Sequence, residues 1–368
     1  MSERKNEAVW IESRQRWQIN VQSDGVRRTF TSSTKGKKGK IEAEKKADKW
    51  LETHLIGEST KCDVMLDRFY EHKRATTSKP NYTQVEYYSR AFIKPVIGKK
   101  RIGRITENDL QLVIDSAFNN SGLSKKTLTN IRATLMSFMK YCRKAKVTTL
   151  FPEGLMIPKK AVRYEKHIAQ PDDIKKLFSC NQTVRYNKVC EDHYLHAYRF
   201  AVLTGLRPGE LLGLQWGDIS DTGILTIHRA INDDGDITDG KNENARRSLS
   251  VKGIAQTELE AQRKMLLSKG ILTKWVFANH EGEYTRQKRF RTAWASYCSF
   301  NGLSKVTPYE MRHTYVSLND EMPDGLKKKA LGHSKNMDTE GVYGHLKDGD
   351  LERIAEYSDA ALKRIIGK

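Results

Sequence analysis

Apolar and polar residues alternate along two short runs near the start of the chain, as expected for half-buried strands. The runs are Trp17–Gln22 and Val26–Thr31, and Asp24-Gly25 between them is a strong signal for a hairpin turn. A helical pattern from Ile41 to Leu51 follows. The pattern predicts a sheet-plus-helix module over residues 1–56.

The periodicity changes to a helical one from about Cys62. Predicted helices follow in order: one opened by Val64, Leu66, Phe69 and Tyr70, then Tyr82–Pro95, Thr106–Phe118 and Ser124–Lys144. Together they predict a helical domain over residues 57–155. Residues 152–166 are rich in proline, glycine and lysine, which is typical of an interdomain linker.

After that linker, a third domain over residues 165–368 mixes helices with one β segment. Its strands are predicted at Gly223–His228 and Arg247–Val251, with turn-forming aspartates and glycines between them. Lys241 would lie at the tip of the resulting hairpin. The predicted fold class is multidomain and mainly α with small β-sheets, the third domain being mixed α/β.

The charge distribution points to a polyanionic partner. The 368 residues carry a formal net charge of +20, which favours nucleic acid, although a basic protein without such a partner is the simpler alternative. Residues 1–160 hold 33 Lys and Arg against 17 Asp and Glu, or +16 of that total. We therefore expect the first two domains to supply most of the attraction for a phosphate backbone.

Six cations are candidates for DNA contacts in those domains. Arg27 and Arg28 lie on the predicted hairpin, where a small sheet can enter the major groove. Lys99, Lys100, Arg101 and Arg104 crowd one loop around Gly98 and Gly103. For the hairpin pair, a solvated polar face is the alternative, whereas the loop cations suit phosphate contacts.

Nothing in the sequence predicts a membrane span, a secretory signal or a metal site. No apolar run approaches the roughly 20 residues needed to cross a bilayer. The five cysteines are scattered and odd in number, which argues against a disulfide framework and for a reducing compartment, so we expect a cytoplasmic protein without membrane partners. Cys190, His193 and His196 have the spacing of one helical face, but no fourth ligand is evident.

Four separated segments of the third domain combine into one candidate site for phosphate chemistry. They are 204–210, 307–313, 331–333 and 342–345, with Lys241 between the first two. Their functional side chains are Arg207, Lys241, Arg312, His333 and Tyr343. Fixed cations around a phenol suit attack of tyrosine on a phosphodiester.

Two of these segments carry signals for helix starts. Pro208 after Arg207 fits a first helical turn, where Glu210 would orient the arginine. Thr307-Pro308-Tyr309-Glu310 has the form of a capping box, which places Tyr309 and Arg312 on one helix face. His313 is interpreted as a buried structural histidine.

Tyr343 is the preferred nucleophile among 15 tyrosines. A free phenol has a pKa near 10, and neighbouring guanidinium and ammonium groups would favour its phenolate. Without the other segments, a core tyrosine would be the better interpretation. No Gly-x4-Gly-Lys-Ser/Thr loop or carboxylate cluster accompanies it, so no cofactor is predicted.

In combination, the four segments resemble the tyrosine recombinase family, in particular integrases of temperate phages and integrative elements. The resemblance covers the catalytic half, about residues 165–368, and the earlier half is similar mainly in architecture. It implies that Arg207 and Arg312 are the two catalytic arginines, Lys241 the hairpin lysine, His333 the late His/Trp position and Tyr343 the nucleophile.

One position departs from the family pattern. The usual histidine three residues before the second arginine is Tyr309 here. A neutral phenol is a poor base, so Tyr309 would only hydrogen-bond a phosphate oxygen, and the general base stays open.

The resemblance implies a site-specific recombinase that exchanges DNA strands through a 3′-phosphotyrosyl bond. Its partners would be double-stranded attachment sites and three further protomers, with an excisionase or host DNA-bending protein as additional candidates. A type IB-like topoisomerase and a catalytically silent DNA-binding regulator are the rival functions.

The C-terminal residues form one apolar helical face. It could dock on a neighbouring protomer or on its own domain, and the sequence leaves both open; the face comprises Leu351, Ile354, Ala355, Ala361, Leu362 and Ile365.

Overall fold

The computed structural model describes residues 6–23, 26–54, 57–239, 246–332 and 347–367. The chain divides into two compact units, residues 1–164 and 165–368. The described helices are α1 Gly36–His54, α2 Cys62–Thr76, α3 Lys79–Tyr88, α4 Lys94–Ile97, α5 Glu107–Ser121, α6 Lys125–Lys144, α7 Pro171–Ser179, α8 Leu195–Thr204, α9 Pro208–Leu212, α10 Ile254–Ser268, α11 Gln287–Asn301, α12 Glu310–Leu318, α13 Asp324–Leu331 and α14 Asp350–Ile366. The described strands are β1 Val9–Ile11, β2 Arg16–Ser23, β3 Val26–Ser32, β4 Gln182–Arg185, β5 Lys188–Glu191, β6 Ile224–Ile227, β7 Ala230–Ile231, β8 Ile237–Thr238 and β9 Arg247–Ser250.

The first unit opens with an antiparallel sheet in the order β1-β2-β3. The predicted hairpin is confirmed: β2 and β3 pair from Trp17↔Ser32 to Ser23↔Val26. One face of the sheet packs on α1 through a small core that includes Ile19, Val21, Ala43 and Ala47. Helix α1 begins at Gly36 rather than at the predicted Ile41.

Helices α2 to α6 surround a second core in the same unit. Helix α5 begins where predicted because the Thr106 side chain accepts from Asp109 N while Asp109 accepts from Thr106 N. Helix α6 begins after Ser124, whose side chain accepts from Thr127 N. The single helix predicted over Tyr82–Pro95 is instead α3, a π-helical turn at Ser89–Ile93 and α4.

Most of the predicted linker is packed on this unit. Glu107 Oε1 accepts from Glu153 N at 3.0 Å and from Gly154 N at 2.5 Å. Further on, Lys125 N donates to Val162 O at 2.9 Å. The helical domain therefore continues past residue 155, and the boundary between the units follows Tyr164.

The second unit has one large core built around the buried helix α8. The predicted strand pair is confirmed, since β6 pairs with β9 from Ile224↔Ser250 to Ile227↔Arg247. The additional hairpin β4–β5 was not predicted. It turns at Tyr186 and Asn187, whose φ angles are 49° and 60°. Tyrosine is not typical of such turns, so the sequence carried no signal for this hairpin.

Helix α14 packs on the core of its own unit. Four of the six apolar residues predicted to share its docking face are buried: Ile354, Ala355, Ala361 and Leu362. Ser358 Oγ on this helix donates to Tyr315 Oη at 3.1 Å. In this structure the C-terminal face thus docks within the protomer. Along the described parts of the chain, no helix is both long and apolar enough to cross a bilayer.

Candidate active site

Arg207 lies where the chain turns from α8 into α9. Helix α8 ends at Gly205 in the left-handed conformation, and Arg207 is the N-cap residue of α9 with Pro208 next to it. Arg207 donates to Glu210 twice, from its backbone N to Oε2 at 3.0 Å and from Nη1 to Oε1 at 2.6 Å. The predicted contact of Glu210 with Arg207 is thus present, and it fixes the arginine at the helix start.

A second arginine holds the same carboxylate from the other side. Arg247 donates to Glu210 from Nη2 at 2.9 Å and from Nη1 at 3.2 Å, and its Nε donates to Ala330 O at 2.7 Å. Burial acts to raise the pKa of Glu210, but the hydrogen bond and charge of Arg247 together with Arg207 lower it. Glu210 is therefore an ionised carboxylate at neutral pH although it is only 3% exposed.

Arg247 was not among the site residues predicted from the sequence. Its signal was the strand register, because residues 247, 249 and 251 share one face of an alternating strand. Leu249 and Val251 on that face are both buried. An arginine at a core-facing strand position requires a buried acidic partner, and Glu210 is that partner.

Arg312 is buried on α12 and donates to two main-chain carbonyls. Nη1 donates to Gly205 O at 2.9 Å and Nη2 to Leu331 O at 2.5 Å. Burial lowers the pKa of Arg312 to about 10, with the charges of Arg207 and Arg247 acting in the same direction. Three guanidinium groups thus lie near one carboxylate, and this excess of positive charge suits an anion such as a phosphate.

The predicted capping box fixes the start of α12. Thr307 N donates to Glu310 Oε2 at 2.8 Å, and Glu310 N donates to Thr307 Oγ1 at 3.3 Å. Glu310 Oε1 also accepts from His167 N at 2.9 Å. The regular helix begins only at Glu310, so Pro308 and Tyr309 form the turn that leads into it.

Tyr309 and His313 lie beside this helix start with their rings 5.5 Å apart. Tyr309 is 50% exposed, which leaves its hydroxyl accessible to a substrate. The predicted buried histidine, His313, is only partly buried. Burial, with the neighbouring charge of Lys166, lowers the pKa of His313, so its ring is neutral at physiological pH.

Three predicted catalytic residues, Lys241, His333 and Tyr343, lie outside the described residues. Among the described ones, the structure brings Arg207, Glu210 and Arg312 together.

The predicted DNA contacts of the first unit are exposed at two places. Arg27 pairs with Gln22 and Arg28 with Val21 across β2 and β3. Because opposite residues share a face, Arg28 lies on the face that α1 covers and Arg27 on the open face. Both side chains are exposed, and their contact with DNA stays a prediction.

The basic loop after α4 is also exposed, namely at Lys99, Lys100, Arg101 and Arg104. Lys100 forms an ion pair with Asp109 at 2.5 Å, so its charge is partly neutralised. The loop retains a surplus of positive charge for phosphate contacts.

The candidate zinc ligands do not share a helical face. Cys190 lies in β5, while His193 precedes α8, where its Nε2 hydrogen-bonds Ala278 O at 2.9 Å. His196 Nδ1 lies 2.7 Å from Glu258 Oε2. Throughout the described ranges, no three His, Cys, Asp or Glu side chains group as metal ligands do.

Gly205→Ala should destabilise the second unit by about 3 kcal/mol, from left-handed strain plus steric overlap. Gly205 has φ of +62°, and an added Cβ would lie 2.6 Å from Tyr315 Cδ1 and 3.1 Å from Leu331 Cδ2. Gly205 and Leu331 supply the two carbonyl oxygens that accept from Arg312. Cleavage by the folded fraction should therefore fall as well. Urea unfolding followed by tryptophan fluorescence measures the loss.

Gly270→Ala is the matched control for this substitution. Gly270 has φ of +68°, but its added Cβ would meet nothing within 4 Å. It isolates the backbone strain, expected at about 1 kcal/mol. Equal losses in the two variants would contradict the close packing at Gly205.

Comparison with known proteins places this geometry in context. The sequence matches the phage integrase family model over residues 169–349. The ICEBs1 integrase of Bacillus subtilis is 26% identical over 306 residues, which are 77% of this chain and 79% of that relative. Tyrosine recombinase XerC of Herpetosiphon aurantiacus is 27% identical over 248 residues, 64% of this chain and 73% of that relative.

Solved structures share the fold. The Tn1549 transposon integrase in complex with a circular intermediate DNA superposes with a TM-score of 0.66 at 17% identity, over 80% of this chain and 98% of that one. The lambda integrase tetramer bound to a Holliday junction gives a TM-score of 0.59 at 15% identity, over 92% of this chain and 98% of that one. The predicted fold class is confirmed.

Proposed function

The chain belongs to the phage integrase family of tyrosine recombinases, and we propose that its arginine cluster holds the scissile phosphate during site-specific DNA integration and excision. Recombinases of this family cleave and rejoin DNA strands. The observation that carries the proposal is the convergence of Arg207, Arg247 and Arg312 around the single carboxylate of Glu210.

Arg207 and Arg312 are the groups that contact the phosphate. Arg207 has a third of its side chain exposed, so it can turn donors toward a ligand while Glu210 retains others. Arg312 donates one hydrogen bond from Nη1 and one from Nη2 to two main-chain carbonyls. Its planar guanidinium group has further N–H groups that can donate to an oxyanion. Such fixed donors stabilise charge that develops in the transition state.

Tyr343 is the nucleophile in this mechanism. Its Oη bonds to phosphorus, the bond from phosphorus to the 5′ oxygen breaks, and a 3′-phosphotyrosyl ester with a free 5′ hydroxyl results. Lys241 donates the proton that the leaving 5′ oxygen takes up. A 5′ hydroxyl from the partner duplex then reverses the step. One phosphoester replaces another, so no nucleotide is hydrolysed.

Tyr309 and His333 complete the site as hydrogen-bond donors to the non-bridging oxygens. The exposed Tyr309 hydroxyl has access to such an oxygen, and the chain reaches His333 two residues after Leu331, whose carbonyl receives Arg312. A neutral phenol is a poor base. The proton of Tyr343 therefore goes to another group or to water.

The substrate is a pair of double-stranded attachment sites, held by four protomers in a synapse. The lambda integrase tetramer on a Holliday junction supports this assembly by fold similarity. The open face of the N-terminal sheet and the basic loop at residues 98–104 supply phosphate contacts outside the site. An excisionase or a host DNA-bending protein is proposed as a further partner, and the cytoplasm as the place of the reaction.

The decisive test uses a nicked suicide duplex that carries the junction sequence of the element encoding this chain. Cleavage releases a short strand past the nick, which traps the covalent protein–DNA adduct for denaturing electrophoresis. We expect the adduct on this duplex and none on a scrambled one. A silent DNA-binding regulator would bind the duplex without an adduct.

Supercoiled plasmid without the junction sequence distinguishes the topoisomerase alternative. A recombinase leaves it supercoiled, whereas a type IB-like enzyme relaxes it catalytically as a monomer. Multiple-turnover relaxation would therefore overturn the proposed function.

A further inference from the structure

Glu210 divides its hydrogen bonds equally between two arginines. Oε1 accepts from Nη1 of both Arg207 and Arg247, while Oε2 accepts from Arg207 N and Arg247 Nη2. The carboxylate is almost inaccessible to solvent, so water cannot take over either half. Any change in Arg247 must therefore alter how Glu210 holds Arg207.

Arg247 itself is fixed more firmly than Arg207. Its side chain is 6% exposed, against 33% for Arg207. Its backbone lies in β9, where it pairs with Ile227 of β6. Of these two arginines, the more buried one is thus held in a strand, and the more exposed one is left to meet a ligand.

Arg247 also reaches the second phosphate-binding arginine through the end of α13. Its Nε donates to Ala330 O, and the next carbonyl along the chain, Leu331 O, receives Arg312 Nη2. The carbonyls at a helix C-terminus carry partial negative charge and attract cations. One side chain therefore ties together the supports of both Arg207 and Arg312.

We propose that Arg247 is a positioning residue for strand cleavage, which acts on the scissile phosphate through Glu210 and Arg207. This inference rests on the proposed function of the same site. With Arg247 present, Glu210 interacts with two guanidinium groups, and Arg207 is free to share its donors with the phosphate. Without it, the full buried charge of Glu210 draws Arg207 away from the substrate.

Arg247→Gln tests this by single-turnover cleavage of the nicked suicide duplex at saturating protein. We expect the rate to fall about 30- to 100-fold, which is less than the roughly 100- to 1,000-fold cost of losing a direct transition-state donor, because Arg247 acts through Glu210. The protein concentration at half-saturation should change less than about threefold, since the phosphate grip is spread over many cations. Arg247→Lys keeps the charge without the fork, and should recover about a third or more of the lost rate on a logarithmic scale.

A duplex with a methylphosphonate at the scissile position separates positioning from general damage. That group lacks the negative charge that Arg207 binds, so the ratio of parent to variant rates should shrink to about fivefold or less. A variant that is only misfolded would show the same ratio on both duplexes. If Arg247→Gln does not fold, Arg247→Lys carries the same comparison.

Arg199→Gln is the matched control, because it also removes a buried arginine with a glutamate partner. Arg199 lies near Glu258 and donates to Leu177 O at 2.8 Å and to Asn181 Oδ1 at 2.7 Å, and these partners lie outside the Arg207 cluster. Its folded fraction should cleave at the parental rate. Parental cleavage by Arg247→Gln, or an unchanged ratio on methylphosphonate, overturns the inference alone. No adduct from the parent overturns the proposed function instead.

Discussion

Tyr343→Phe should abolish the covalent protein–DNA adduct while leaving binding of the attachment-site duplex within about twofold, since phosphate contacts elsewhere carry the affinity. The substitution removes the one oxygen that would bond to phosphorus and keeps the ring. Another tyrosine could form the adduct only if its hydroxyl reached the same phosphate. Denaturing electrophoresis of the suicide reaction measures the adduct, and a gel shift measures binding.

Tyr309→Phe is the matched control for the nucleophile. Tyr309 is half exposed and lies three residues before Arg312 at the start of α12, so it is the rival phenol at this site. We expect its phenylalanine variant to retain the adduct at a rate reduced about tenfold, the size of one lost hydrogen bond. An adduct that survives Tyr343→Phe and disappears in Tyr309→Phe would show that the nucleophile is misassigned.

Arg312→Lys should slow cleavage at least about 100-fold, or about 3 kcal/mol of transition-state stabilisation. A lysine ammonium keeps the charge, but one nitrogen cannot donate to Gly205 O, Leu331 O and a phosphate oxygen in the geometry of a planar fork. Single-turnover rates at saturating duplex measure the effect.

Arg353→Lys serves as the control for this exchange. Arg353 is an arginine of the same unit, with an exposed side chain that pairs with Asp350 at 3.5 Å. Its rate should stay within about twofold of the parent, as expected for a surface ion pair. Parental cleavage by Arg312→Lys would show that charge alone suffices and that the two carbonyl contacts do not matter for catalysis.

Local sequence signals predicted much of the fold. Period-2 alternation gave the β2–β3 and β6–β9 pairs, and side-chain caps at Thr106 and Thr307 gave helix starts within a few residues. These signals work because both partners of each interaction lie within a few positions of each other. Motif order likewise brought Arg207, Glu210 and Arg312 into one predicted site.

Features that depend on distant partners were missed. Arg247 meets Glu210 across 37 positions of sequence and Ala330 across 83, and no local pattern encodes either contact. Residues 152–166 were interpreted as a linker because their proline and glycine content is typical of loops. Their hydrogen bonds to Glu107, 46 and 47 positions earlier, are visible only in the folded chain.

The two oxygens that receive Arg312 belong to the main chain, and every residue type supplies such an oxygen. Replacement of the Leu331 side chain during evolution would therefore leave the acceptor in place, provided that α13 still ends at the same point. Correlated substitutions between position 312 and its acceptors are not expected, even though the contact is central to the site. Statistical coupling between alignment columns would overlook this anchor, and comparison of backbone geometry at the end of α13 among distant homologues would find it.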